Sequence, residues 1–154
     1  MGMHGRFPNR LCLVTDIESY STHTTPQQGD AQQRLLRITQ RALARAQIFR
    51  AARLEHQDRG DGQLLLMPSR LDQTKAIPAL VRGLRQELYL SNQEPGAFGR
   101  IRMRAAIAQG AVARGATGFE GRAPVIVCRL VDAQRLKDAR LDLPARQRPG
   151  HWLD

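Results

Sequence analysis

The chain has 154 residues, a length that suits one domain with a real core and leaves little room for two. Apolar residues make up 42% and charged residues 25%, ordinary for a globular protein, and no apolar run approaches the length that crosses a membrane as a helix. The formal charge of +10, carried mostly by arginine, invites a polyanion partner, yet aromatic residues at 5% supply a base-stacking platform poorly, so nucleic acid is not the expected partner.

Residues 10–17, RLCLVTDI, form a short β-branched apolar run that ends in an acid, which predicts a buried strand. After the turn-rich ESYSTHTTPQQGD, helical spacing runs from Gln27 to about Arg53. Leu35, Ile38, Ala42, Ala46 and Phe49 fall on one stripe. Arg34, Arg37, Arg41 and Arg45 fall on the next, and such a row reads first as a solvated helix face and second as a binding surface. Residues 53–57 and 62–67 predict two strands around the DRGDG turn. A second helix is expected from Asp72 to Leu90, with Ile77, Leu80, Val81, Leu84 and Leu88 buried and Pro78 tolerated only near its first turn.

The stretch RIRMRAAIAQGAV predicts a half-buried strand entering a core, and the glycine-rich ARGATGFEGRAP a turn or hairpin tip. A last helix is expected from Pro124 to about Asp138, followed by an irregular tail with two prolines. Strands and helices therefore alternate around a central hairpin, the order of an α+β, ferredoxin-like sandwich. Cys12 and Cys128 both lie in apolar surroundings and read as free buried thiols. The apolar stretch near the start is too short for a signal peptide, so a cytoplasmic protein is expected. His4, His23, His56 and His151 have no metal-ligand spacing.

Two acids stand out. Asp16 closes the first strand and Asp61 sits in the hairpin, between two glycines and shortly before the apolar run Leu64, Leu65, Leu66 and Met67. A carboxylate at the mouth of a buried strand is expensive to desolvate unless something binds it. In a ferredoxin-like sheet the first strand lies beside that hairpin, so the two carboxylates can converge. Such a pair suits a hard cation, and Mg²⁺ is commonly held by one or two acids plus substrate phosphates. On spacing alone, two unrelated surface acids are the competing reading. Clustered carboxylates repel, so removal of one is expected to leave stability unchanged or higher.

The stretches LCLVTDIESYS, RGDGQLLLMP and RMRAAIAQGAVARGATGFEGRAPVIVCRL follow one another in the order found in class III nucleotidyl cyclases, and the chain resembles that family over residues 10–138. The resemblance implies a cyclase-type domain over 10–138, preceded by an extension at 1–9 and followed by a tail at 139–154. It implies Asp16 and Asp61, with the Ile17 carbonyl, as ligands of Mg²⁺ or Mn²⁺. Arg129 falls on the arginine that steadies the transition-state phosphates, and Gly121 on the glycine of the turn before its helix. Metal ligands and arginine come from different subunits in that family, which implies a homodimer acting on a nucleoside triphosphate.

Gln57 and Gly118 fall on the base-selecting positions, where neither carries the charge or the side chain usual there. Val125 stands where the family has a ribose-orienting asparagine. The expected activity is conversion of a nucleoside triphosphate to a 3′,5′-cyclic nucleotide and pyrophosphate. The alternative is a non-catalytic module that signals through nucleotide or protein binding.

Overall fold

Because apolar residues run almost unbroken along RLCLVTDI, this segment can be buried on both faces, and that decides the architecture. The structure, a computed structural model, describes residues 9–18, 24–48, 55–58, 62–68, 71–94, 99–115 and 118–133. In chain order the elements are β1 (Asn9–Ile17), α1 (Thr25–Arg45), β2 (Glu55–Asp58), β3 (Gly62–Leu66) and α2 (Gln73–Gln93). These are followed by β4 (Met103–Ala111), β5 (Ala113–Arg114), β6 (Phe119–Glu120) and α3 (Arg122–Asp132). The main sheet has the order β2-β3-β1-β4 with every neighbouring pair antiparallel, which is the ferredoxin-like arrangement.

The two-residue period of β1 divides the core. Leu11, Leu13 and Ile17 join Leu35, Ile38, Leu80, Leu84 and Leu88 beneath α1 and α2. Cys12 and Val14 join Val127 and Val131 beneath α3 on the opposite face. Burial pushes the Cys12 thiol up to about 12, so it stays a protonated, inert core group at neutral pH. Cys128 is only partly buried, and both thiols are free.

Helix α1 starts where the Thr24 N–H donates to Gln27 Oε1 at 2.9 Å, and it stops earlier than its apolar stripe suggests. Gln47 takes a left-handed φ of 58°, Gln47 N–H donates to the Ala44 carbonyl, and Ile48 N–H reaches back to the Leu43 carbonyl. This is a Schellman ending with glutamine in the place glycine usually fills, and the buried Ile48 supplies its apolar contact. The expected continuation to Arg53 is thus cut at Arg45, and Phe49 lies outside the described residues. Helix α3 likewise begins at Arg122 and ends at Asp132, short of the expected Asp138.

Helix α2 is capped by Asp72, whose carboxylate accepts from the Thr74 N–H and hydroxyl. Pro78 lies inside this helix, beyond the first turn where it was expected. Val81, expected in the core, is 40% exposed, while Glu87 and Ser91, which were not expected there, are buried. The reason is the arginine row of α1. Arg34 reaches Ser91 and Asn92, Arg37 reaches Glu94, and Arg41 and Arg45 both face Glu87. The row ties α1 to α2 through the buried Arg34, while Arg37, Arg41 and Arg45 stay solvent-exposed and reach α2 from the surface. Between the same helices Gly83 packs against Ala42, where a Cβ would come within 3.1 Å of backbone.

A small polar group interrupts the apolar layer under α1. Gln63 Nε2 donates to Thr39 Oγ1, which donates in turn to the Leu35 carbonyl, while the nearby Thr15 hydroxyl is buried and has no hydrogen-bond partner among the described residues. Removing an unpaired buried hydroxyl relieves its desolvation penalty. Thr15→Val should therefore stabilise the domain by about 1 kcal/mol. In thermal unfolding this is a rise of roughly 2–4 °C; an unchanged or lower midpoint would show that the hydroxyl is satisfied in solution.

Candidate functional site

The carboxyl end of β1 is the centre of the candidate site. Asp16 is 2% exposed and stands in register with Gly62 on β3 and Arg104 on β4. Arg104 is its direct cross-strand neighbour, so both side chains project from the sheet face that carries α3. Arg104 Nε donates to Asp16 Oδ1 and Nη2 to Oδ2, each at 2.9 Å. This parallel fork is the strongest geometry an arginine and a carboxylate adopt. It explains how an acid can end a strand buried on both faces: a guanidinium only 15% exposed already compensates the charge.

On the other side of Asp16, a Cβ at Gly62 would collide with the Thr15 carbonyl and with Asp16 itself. The second glycine of the Gly-Asp-Gly hairpin is therefore required for the close approach of β3 to β1. Asp61 lies outside the described residues, but it directly precedes the residue paired with Asp16. The Ile17 side chain fills the core under α1, so only its carbonyl is left to act as a ligand. Gln57 stands on β2 opposite Leu64, which in turn stands opposite Val14.

The ribbon of β5 and β6 carries the chain from β4 into α3. Gly118 in its turn has φ 145° and accepts the Gly115 N–H at 2.6 Å. Gly121 starts α3 with φ 122°, and a Cβ there would strike the Ala111 carbonyl, so this position too demands glycine. The helix buries Ala123, Pro124, Val127 and Val131. It exposes Val125, Ile126 and Leu130, with Arg129 on the same outward side.

The structure thus joins Asp16, Gly62 and Arg104, and leaves Arg129 facing out. Among the described residues no hydrogen bond or ion pair links Arg129 to Asp16. Arg104 is the residue that the sequence reading missed. Its one signal was a charged residue within the alternating RMRAA stretch, and only the register of β4 on β1 shows what it faces.

No group of three or more His, Cys, Asp or Glu side chains that could hold a metal occurs among the described residues. A carboxylate has about four acceptor positions, however, and the Arg104 fork takes one on each oxygen. A carboxylate is the kind of donor that Mg²⁺ or Mn²⁺ takes beside phosphate oxygens and water, so Asp16 fits such an ion by the chemistry of its side chain.

No protein-family model matches the sequence, and no curated protein is detectably similar to it. Solved structures are similar in fold. The guanylate cyclase domain of RhGC from Catenaria anguillulae in complex with GTP is 14% identical, with a TM-score of 0.61 over 83% of this chain and 74% of that one. A bacterial light-regulated adenylyl cyclase is 15% identical, with a TM-score of 0.61 over 88% of this chain and 81% of that one. A dimeric guanylyl cyclase domain of the RhoGC fusion protein from Blastocladiella emersonii is 12% identical, with a TM-score of 0.58 over 83% and 75%. The chain has the fold of class III nucleotidyl cyclase catalytic domains. Among the described residues no helix is long and apolar enough to cross a membrane.

Proposed function

We propose that the protein is a divergent nucleotidyl cyclase-like domain that binds a nucleoside triphosphate with Mg²⁺ or Mn²⁺, acts as a homodimer, and forms a 3′,5′-cyclic nucleotide and pyrophosphate. The observation that carries this reading is the buried Asp16, at the end of β1 beside the Gly-Asp-Gly hairpin, in a fold shared with a domain crystallised with GTP. In the reaction, the ribose 3′-oxygen bonds to the α-phosphorus as the bond to the bridging β-phosphate oxygen breaks. Pyrophosphate leaves, and the hydroxyl proton passes to solvent.

Asp16 and Asp61 would hold the cation. When bound, the cation lowers the pKa of the attacking hydroxyl and offsets phosphate charge. Arg129 would meet the charge that grows on the leaving pyrophosphate. Its exposed position on α3 supports delivery from a second subunit, and Val125, Ile126 and Leu130 beside it give that subunit an apolar surface to cover. Gln57, a neutral amide, can pair with any base, and Gly118 adds no side chain, which supports weak base selection.

One observation favours the second reading, a non-catalytic cyclase-fold module. Val125 occupies the family's ribose-orienting position, is half exposed, and has no polar group to hold a sugar. Incubating the pure protein with Mn²⁺ and each of the four triphosphates separates the two. Cyclic product that disappears in Arg129→Ala is the expected result, with light scattering giving a dimer. Nucleotide binding without product supports the module, and absence of any metal-dependent binding overturns the cyclase reading and leaves only a module that signals through protein binding.

A further inference from the structure

We propose that the outer edge of β4, with the groove between it and α2, is a docking site for an extended segment of another protein, one that alternates apolar and acidic residues and adds to the main sheet as a further strand. The two edges of that sheet differ. β2 is four residues long and reads EHQD, a short polar edge of the kind that discourages pairing. β4 runs for nine residues, and from Ala105 to Ala111 it carries no charge and no proline.

Hydrogen bonding shows which groups that edge presents. The Glu18 N–H donates to the Arg102 carbonyl, so Arg102 and every second residue after it bond inward to β1. Met103, Ala105, Ile107, Gln109 and Ala111 therefore turn their N–H and carbonyl groups outward, where no strand pairs with them among the described residues. The side chains of Met103, Ala105 and Ile107, with Val81, Leu84 and Leu88 of α2, line an open groove of about 380 Å³. Ala105 is exposed, Val81 is 40% exposed, and Tyr89, two turns further along α2, is 44% exposed. A strand entering here gains a ladder of backbone bonds and an apolar floor for every second side chain.

Charge decides which strand. Arg102, exposed just before β4, projects on the sheet face opposite to Met103. Opposite charges across a strand pair stabilise it, and like charges oppose it. No acid lies on β4 and none lines the groove. A second copy of this chain would bring a further formal charge of +10, whereas an acidic segment is complementary. The two-residue period then sets the pattern, with apolar residues towards the groove and acids towards Arg102.

The probes are three fluorescein-labelled peptides as long as β4, read by anisotropy with the full chain. One alternates valine with glutamate, one valine with lysine, and the third repeats the first with N-methyl groups on the edge that faces β4. The glutamate peptide should bind at least about tenfold more tightly than either of the others. The third matters because a basic protein attracts any polyanion, and only docking as a strand needs the peptide N–H groups. Arg102→Glu should reverse the preference between glutamate and lysine, and Val81→Glu should weaken the glutamate peptide about tenfold. If either variant fails to fold, the N-methyl comparison on the wild-type chain decides alone. Hydrogen exchange should show the outward amides of Ala105, Ile107 and Gln109 open in the free protein and protected by the glutamate peptide. Equal binding of the methylated peptide, or no binding of any, overturns the proposal. So does protection without peptide: at every protein concentration it would mean that the chain covers its own edge, and only at high concentration that a second copy does.

Discussion

Arg34→Ala should destabilise the domain by about 3–5 kcal/mol, as removing one member of a buried charged network does. Arg34 is 3% exposed. Its Nε donates to Ser91 Oγ at 2.9 Å, Nη1 to the Gly99 carbonyl at 2.8 Å, and Nη2 to Asn92 Oδ1 at 2.8 Å and the Ser91 carbonyl at 3.2 Å. Asp30, one helical turn away, completes the charge balance at 3.5 Å. Truncation leaves these acceptors facing a cavity. It also slackens the link to Ile101, whose N–H and carbonyl both bond the Asn92 side chain. The melting midpoint should fall by the order of 10 °C. Arg37→Ala, in the same row, is the control. Its pair with Glu94 spans 3.3 Å with both side chains more than 40% exposed, so its loss should stay within about 0.5 kcal/mol. Equal effects from the two substitutions would show that the row is a solvated face after all.

That row illustrates what a sequence can and cannot reveal. The period of the arginines placed them correctly on one side of α1, but whether they meet water or another helix depends on what α2 offers. Glu87, Ser91 and Asn92 are legible only once the two helices are aligned. The β1 run, the hairpin and the start of α2 were readable because each has a local cause: two-sided burial, glycines in a turn, and an aspartate cap. The end of α1 was not, because glutamine seldom takes the left-handed position and gives no stop signal. At the site, the motif order identified Asp16 and the glycine beside it. The residue that compensates Asp16 lies 88 positions away, and register, a long-range property, is what joins them. Asp61 falls outside the described residues, so the pairing of the two acids rests on the sequence and on Gly62 alone.

The second large effect reverses an expectation drawn from the two acids. If Asp16 stood against another carboxylate alone, its removal would relieve repulsion. Instead it is held by Arg104, and its removal strands a guanidinium that is 85% withdrawn from solvent, the complement of its 15% exposure. Asp16→Val should therefore destabilise by about 3 kcal/mol in the absence of metal, moderated because a long arginine can swing its head towards water. Arg104→Met should be worse, since the carboxylate left behind is 2% exposed and short, with no such escape. The double variant Asp16→Val with Arg104→Met removes both charges from a strand pair whose neighbours on that face are Val14, Leu64 and Ala106. Replacing a buried ion pair by apolar residues of similar size is often neutral, so the double variant should fall within about 1 kcal/mol of wild type. The coupling between the two sites, measured by urea unfolding of all four proteins, should then exceed about 2 kcal/mol. Additive losses would show that the two residues act separately, and that the fork contributes little to holding β4 on β1. A restored fold in the double variant, with Mn²⁺-dependent nucleotide binding gone, would mean that this ion pair serves the site and not the stability of the sheet.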